Sequence, residues 1–497
     1  ESESGDSSAV IIRYQVDQTI MVNLKKTKYI TFRKLGFQGY HNLWLTDSTS
    51  NITIDHCYFI GWRHCLTAET VSRNITIVNT NFYGGAHGIV VYGDANRSTG
   101  NLDIRDNIFS SQGDQSVHVT WAKDIVTGNN TFYGQTYDRS IYASQVYNMT
   151  IENNRFIDVN FAIRPDNSKG LVIRNNRIKI SPVIGRENIG IHLESNDSVN
   201  VYNNYIHTEG NLMVYGIFLY NCSHTGIYFN SIDIANTDIA QDSRALMLYN
   251  SGANNEIKNN IFNIVQGGFP VFCSGLPLTA FLDYNNYYNP SGLIGQYNNR
   301  NYYSLQAWSD STAMDGHSLA ENPFYTSDSV LSMNQVLLND SGLPIPGITY
   351  DIDSTLRNAS HPDIGAKEYN PCQPDAGINR ITGPVSPVSQ GIHPVKVILQ
   401  NQGSGTLTTA VIHWMVNGQI QAPFPWTGNL GYKQNAEVSI GNYNFTSGLF
   451  SLKAWTAQPN GSGECNHYND TLQTQVAVSL CGTYTIGGST PDFESFS

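Results

Sequence analysis

Nine residues are written again and again between Tyr29 and Phe262. NMTIENNRF from Asn148 has near-copies in NITIDHCYF from Asn51, NITIVNTNF from Asn74, NLDIRDNIF from Asn101 and NNEIKNNIF from Asn254. Looser copies begin at Tyr29, Asp124, Gly170, Ser198 and His224. From Asn51 onward the starts lie 22 to 30 residues apart. A period of that length marks a stack of similar units, each burying its apolar side against its neighbours.

Apolar residues alternate within each copy: Ile52 and Ile54, Ile75 and Ile77, Leu102 and Ile104, Met149 and Ile151, Val199 and Val201. Period-two alternation of β-branched side chains predicts a short half-buried strand and argues against a helix. A second alternating run precedes the nonamer, as in HGIVVY (87–92), QSVHVT (115–120), RSIYAS (139–144), IGIHLE (189–194), YGIFLY (215–220) and RALMLY (244–249). A third strand begins at the nonamer's closing Phe or Ile. Three short strands per turn, separated by bends, predict an all-β fold: a right-handed parallel β-helix of about eleven coils. It occupies residues 1–290 and is closed by a last coil and cap over 291–370, since an end coil cannot leave its apolar face in water.

The paired asparagines at nonamer positions six and seven (Asn129 and Asn130, Asn153 and Asn154, Asn175 and Asn176, Asn203 and Asn204, Asn259 and Asn260) recur at one bend. Asn tolerates the left-handed backbone that a tight bend needs. Its amide, stacked about 4.8 Å from the next coil, can also form a hydrogen-bonded ladder. The N-x-[ST] triplets at Asn51, Asn74 and Asn148 follow the same register and read as repeat positions.

Charge excludes several partners. A net charge of -12 with only 14% charged residues leaves no basic stripe for nucleic acid or for an anionic membrane surface. No run of about eighteen apolar residues is available for membrane insertion. The amino terminus ESESGDSSAV carries no charged-then-apolar leader pattern. Of seven cysteines, Cys372 and Cys465 share the carboxy-terminal region and are candidates for one bridge. Cys481 would remain for a partner outside the chain.

After NPCQPDAGI the pattern changes to alternating strands with closely spaced turns: HPVKVILQNQG, TAVIHWMVNGQ, AEVSIGNY, LFSLKAWTAQPNG and TQVAVSL. This spacing predicts a seven-strand immunoglobulin-like sandwich over 371–480, with a hairpin turn at VNGQ and Trp414 and Trp455 in its core. LCGTYTIGGSTPDFESFS then opens a following module over 481–497. With no evident amino-terminal cap, the chain reads as one period of a longer array.

DAGINRITGP, VKVILQNQGSGTL, IHWMVNGQ and NDTLQTQVAV resemble the CARDB-type Ig-like modules of bacterial surface proteins. GIxL and NxTIxNNxF resemble the repeats of pectate-lyase-like extracellular β-helices. Their alternation is similar to very large surface proteins of Bacteroidetes exported by type IX secretion. That resemblance implies a secreted, cell-surface adhesin or filament module, with neighbouring modules, identical chains and surface glycans as partners. His and Cys spacings typical of metal sites are absent, so no metal and no cofactor is expected.

In sugar-cleaving β-helices the substrate lies along one parallel sheet, here the GIxL strand. Its outward column reads Trp44, Leu66, Val90, His118, Tyr142, Arg164, His192, Phe218, Met247 and Phe272, followed two residues on by Thr120, Ser144, Asp166, Glu194, Tyr220 and Tyr249. His118, Tyr142, Arg164, Asp166, His192 and Glu194 are the candidate catalytic set, because lyase chemistry needs a base and an arginine for the developing enolate. A hydrolase would need two carboxylates about 5–10 Å apart. The apolar and aromatic members Trp44, Phe218, Tyr220, Met247, Tyr249 and Phe272 form a candidate docking stripe. Asp351 and Asp353 in YDIDS suit either a cation or the shaping of the cap. The column lacks the paired aspartates and Gly-His-Gly of pectin hydrolases. The reading is therefore a structural and adhesive module, part of a filament or hook-like appendage and not an enzyme. The alternative is a polysaccharide lyase or glycoside hydrolase.

Overall fold

The computed structural model describes residues 11–13, 20–69, 71–96, 98–134, 139–236, 242–250, 252–275, 279–325 and 331–479. Cys481 and the expected following module lie outside the described residues. The chain divides into two compact units, Glu1–Met333 with Leu338–Glu368, and Asn334–Leu337 with Tyr369–Ser497.

The first unit is a parallel β-helix. The nonamers supply an 11-stranded parallel sheet running from Lys28–Arg33 to Ala280–Asp283. Its inward positions align coil upon coil, with Ile52, Ile75, Leu102, Ile125, Met149, Leu171 and Val199 in one register. The two other faces form one continuous 23-stranded sheet, because strands such as Gly36–Thr46 and Tyr58–Ala68 run through the corner between them. At the nonamer's closing position Phe37, Phe59, Phe82, Phe109, Phe132 and Phe156 stack with centroids 4.7–5.1 Å apart. Every one of those rings is buried. That spacing equals the rise of one coil, so a single residue choice repeats into a continuous aromatic column.

The asparagine pair turns out to divide its labour. Position six takes the left-handed backbone, with φ between 51° and 60° from His56 through Asn259, whatever the residue. Position seven carries the ladder. The Nδ2 of Asn107, Asn130, Asn154, Asn176, Asn204, Asn230 and Asn260 each donates to the Oδ1 of the equivalent asparagine one coil on, at 2.9–3.0 Å, ending on Asn285. The same Oδ1 accepts a backbone N–H, as Asn176 Oδ1 does from Asn154. Each buried amide is thereby satisfied by its own repeat. The first nonamer position forms an outer row, where Asn74 donates to Asn51 (3.0 Å) and Asn101 to Asn74 (2.8 Å).

The helix Leu305–Thr312 follows the last coils, capped by Ser304, which accepts from the Ala307 N–H. Its Trp308 is fully buried and donates to Asp315 (2.7 Å). The chain then returns along the solenoid, bonding Asn259, Ser231 and Asn203. Asp351 accepts from the N–H groups of Asp353, Thr355 and Glu368. Asp353 pairs with Arg177 and Lys367. Both aspartates are thus engaged in shaping the cap.

The second unit is an Ig-like sandwich. Three strands (Ala376–Gly383, Gly391–Asn401, Asn435–Phe445) face five (Leu407–Val416, Gln419–Ile420, Phe424–Leu430, Leu449–Ala457, Thr471–Ala477). Asn417 and Gly418 turn the hairpin with φ of 47° and 78°, the doubly positive pair that Asn-Gly favours. Cys372 is bonded to Cys465, and Cys57, Cys65, Cys222 and Cys273 are buried thiols. Trp414 lies in the core, but Trp455 does not. It sits on the outer face stacked on His413 at 5.4 Å, and Trp426 takes the core position instead.

Candidate functional site on the β-helix

The outward column of the GIxL sheet follows strand register: Trp44, Thr67, Val90, His118, Tyr142, Arg164, His192, Phe218, Met247, Phe272. Leu66 does not belong to it. A register shift between Gly39 and His41 turns Leu66 into the core, aligned with Leu43 and Ile89, and brings Thr67 outward. Val90 keeps its outward register and is nonetheless fully buried.

The candidate catalytic set is only partly assembled. His118 lies three strand steps from His192, roughly 14 Å at the spacing of a coil. Its ring packs against Tyr142 (5.2 Å) and Tyr92 (5.5 Å). Tyr142 hydrogen-bonds to Asp166. Arg164 Nε donates to both oxygens of Asp166 (3.0 and 3.1 Å), and its Nη2 donates to Glu194. Glu187 stands 3.9 Å from the same guanidinium. Burial pushes the Asp166 carboxyl up despite Arg164, with Glu194 adding to the rise. The guanidinium is thus held by the protein's own carboxylates, which align as Cα partners on adjacent strands.

His192 is sealed. It is 5% exposed, and its ring lies parallel to Phe218 at 4.5 Å and near Phe161 at 6.1 Å. Neither ring nitrogen has a hydrogen-bonding partner among the described residues. Burial, helped by Arg164 and Arg139, drives its pKa down to about 3, so the ring stays neutral at ordinary pH. A general base needs contact with a proton it can remove, and this imidazole faces two phenyl rings.

The docking stripe is narrower than the sequence suggests. Tyr249 is exposed and lies against Tyr220, the rings tilted at 51° with centroids 5.4 Å apart. Phe218 and Phe272 are half-buried. Met247 is buried, 5% exposed beneath Arg244, whose guanidinium lies 3.7 Å from the Phe272 ring and also reaches the Met247 sulfur. Trp44 is seven strand steps from Phe218, roughly 34 Å away, and does not join the stripe. Two open cavities of this unit lie away from the column, about 350 Å³ at Arg174, Tyr202 and Tyr350 and about 370 Å³ at His224, Tyr228 and Phe281.

A second histidine feature escaped the sequence reading. His41, His64 and His87 stack edge-to-face at 4.9 and 4.8 Å, and His118 continues the row at 5.6 Å. Their signal is the spacing, since 41, 64 and 87 stand one 23-residue coil apart. Burial lowers His64 to about 3, with further contributions from His87 and His41.

Residues 42–206 match the family model described as right handed beta helix region. Similar solved structures include a CARDB domain from Pyrococcus furiosus in complex with di-metal ions (22% identity, TM-score 0.19, covering 22% of this chain and 95% of that one). Others are the alginate lyase of Paenibacillus sp. (12%, TM-score 0.32, 52% and 99%) and the enzymatically active domain of tailspike protein 2 of bacteriophage CBA120 (12%, TM-score 0.28, 88% and 71%). These likenesses concern the fold alone. No curated protein matches the sequence. Among the described residues no helix is long and apolar enough to cross a membrane.

Proposed function

We propose that this chain is a structural and adhesive module of a large secreted surface protein, a stiff β-helix joined to an Ig-like spacer. One observation carries the reading. The groups a sugar-cleaving enzyme would deploy are already occupied: Arg164 by Asp166 and Glu194, and His192 by Phe161 and Phe218. Among the groups that reach solvent on that face is the aromatic patch of Tyr220 and Tyr249 beside Phe218 and Phe272. Rings of this kind stack on the apolar faces of sugars or against another chain. The secretion route and the filament context rest on the sequence resemblance.

Polysaccharide cleavage is the second reading. It is favoured by Asp166 and Glu194 lying side by side, with Tyr142 bonded to an aspartic carboxyl held above its ordinary range. Incubation with alginate and polygalacturonate, followed for unsaturated products and new reducing ends, separates the two. The structural reading expects no turnover, and retention on immobilised glycan or self-association that falls several-fold in Phe218→Ser and Tyr249→Ser. Sustained turnover abolished by Asp166→Asn or Glu194→Gln would overturn it.

A further inference from the structure

The Ig-like unit gathers carboxylates where no sequence spacing announced them. Asp375 opens the strand Ala376–Gly383, Asp470 precedes the strand Thr471–Ala477, and Glu464 adjoins the bridged Cys465. The disulfide to Cys372 ties the Glu464 segment to the Asp375 segment. The Ala376 N–H donates to Glu464 Oε1 (2.8 Å), and Asn469 Nδ2 donates to Asp375 Oδ2 (3.0 Å). His467 Nδ1 stands 3.1 Å from Asp470 Oδ2, its side chain largely exposed.

Four oxygens of this cluster are buried and take no hydrogen bond from an N–H or hydroxyl group among the described residues: Asp375 Oδ1, Glu464 Oε2, Asp470 Oδ1 and Asn469 Oδ1, while the Glu464 and Asp470 carboxyls lie against each other. Asp375 is 1% exposed and Asp470 6%. Buried polar atoms left unpaired ask for an explanation, and like charges crowded away from water cost more than single ones. A cation removes both difficulties at once.

The donor chemistry selects which cation. Ligand atoms of Glu464, His467 and Asp470 lie within 4.8 Å of one another, about twice a calcium–oxygen distance of ~2.4 Å. Zinc prefers several imidazole or thiolate ligands in a tight tetrahedron, and this cluster offers a single imidazole. Magnesium demands near-ideal octahedral geometry, which carboxylates fixed on separate segments do not readily supply. A shallow cavity of about 230 Å³, lined by Gln373, Pro374, Asp375, Asn401 and Ser462, borders the cluster at Asp375. We propose that Asp375, Glu464 and Asp470, with the Asn469 side-chain carbonyl, form a calcium site that locks the disulfide-bearing edge of the sandwich. His467 supports it from outside through Asp470. The site is independent of the adhesive face and extends the proposed function to a calcium-stiffened spacer.

The test uses the whole chain, stripped with chelator and dialysed. Calorimetric titration with calcium chloride should give one ion per chain, with a dissociation constant on the order of 10⁻³ M or tighter, the range of extracellular modules. Calcium should raise one thermal transition by several degrees, and magnesium chloride at equal concentration should not. Asp470→Asn and Glu464→Gln should abolish the shift while keeping the circular dichroism of the chelated wild type. Absence of stoichiometric calcium binding at about 10 mM, a concentration above the range given for such modules, would overturn the site. So would tighter binding of zinc chloride, or an unchanged shift in both variants. The wild-type titration decides even where a variant fails to fold.

Discussion

The β-helix and the Ig-like unit both bury polar side chains, and they treat them in opposite ways. From Asn107 to Asn285 the β-helix closes each amide on the next, so every coil supplies the partner its neighbour needs. In the Ig-like unit Asp375, Glu464 and Asp470 crowd together with oxygens that no N–H or hydroxyl group among the described residues completes. A repeated polar row that satisfies itself is architecture, and it explains why the asparagines recur. An isolated polar cluster that does not satisfy itself points to something from outside. The difference separates scaffold from site better than residue type does.

The sharpest way to break this comparison is to cut the ladder. Asn176→Ala removes the donors to Ile151 O and Asn204 Oδ1 and the acceptor for the Asn154 backbone and amide. Several buried groups lose their partners together, at roughly 1–3 kcal/mol each. A loss of about 4 kcal/mol is expected, read from the denaturant midpoint of the β-helix transition. A loss under about 1 kcal/mol would show the row to be ornamental.

Acid is expected to strike the β-helix next. His192 has a folded pKa of about 3, below its ordinary value of 6.5. Between those values the unfolded chain binds a proton that the folded chain refuses, so stability is complete above pH 6.5 and falls as pH drops. About 3 kcal/mol should be lost by pH 4. His192→Phe, which keeps a ring against Phe218, should flatten that slope, measured by thermal melts from pH 7 to pH 4. An unchanged slope would mean that His192 opens to solvent.

How much of this was legible depends on whether the signal was local. The nonamer, its inward Ile and Leu positions and the closing Phe column repeat within a few residues, so alternation revealed the β-helix. Both asparagines of the pair looked alike as letters. NLDIRDNIF, with Asp106 at position six and Asn107 at seven, and HTGIYFNSI, with Phe229 and Asn230, hint that the ladder belongs to the second. Leu66 was misplaced because one bulge near Gly39 shifts the register, and a one-residue shift reverses a side chain. Trp455 was misplaced for a related reason. In LFSLKAWTA the alternation sends Leu452, Ala454 and Thr456 inward, and Trp455 falls between the last two. The calcium cluster was beyond reach, since 89 residues separate Asp375 from Glu464 (464 − 375 = 89) and only the fold brings them together.

Calcium should sharpen the contrast from the other side. At a concentration ten to a hundred times its dissociation constant the ion would add about 1.4–2.7 kcal/mol to the unit that binds it. That gain belongs to the Ig-like transition alone. The β-helix transition should stay where it is, because its ladder amides from Asn107 to Asn285 are already paired with one another. Calorimetry that resolves two transitions reads both at once, and a calcium shift in the β-helix transition would erase the distinction.

The smallest expected effect tests the finest part of the comparison. Asn175 occupies position six with φ of 55°, one residue before the ladder member Asn176. Its Oδ1 has no hydrogen-bonding partner among the described residues. Glycine adopts that backbone without steric cost, while the unfolded chain gains freedom it must lose on folding. The two effects oppose, so Asn175→Gly should change stability by no more than about 0.5 kcal/mol. Adjacent asparagines of identical chemistry would then differ roughly eightfold in what their removal costs. If Asn175→Gly instead matched Asn176→Ala, the bend and the ladder would be one inseparable device, and the division of labour between positions six and seven would be wrong.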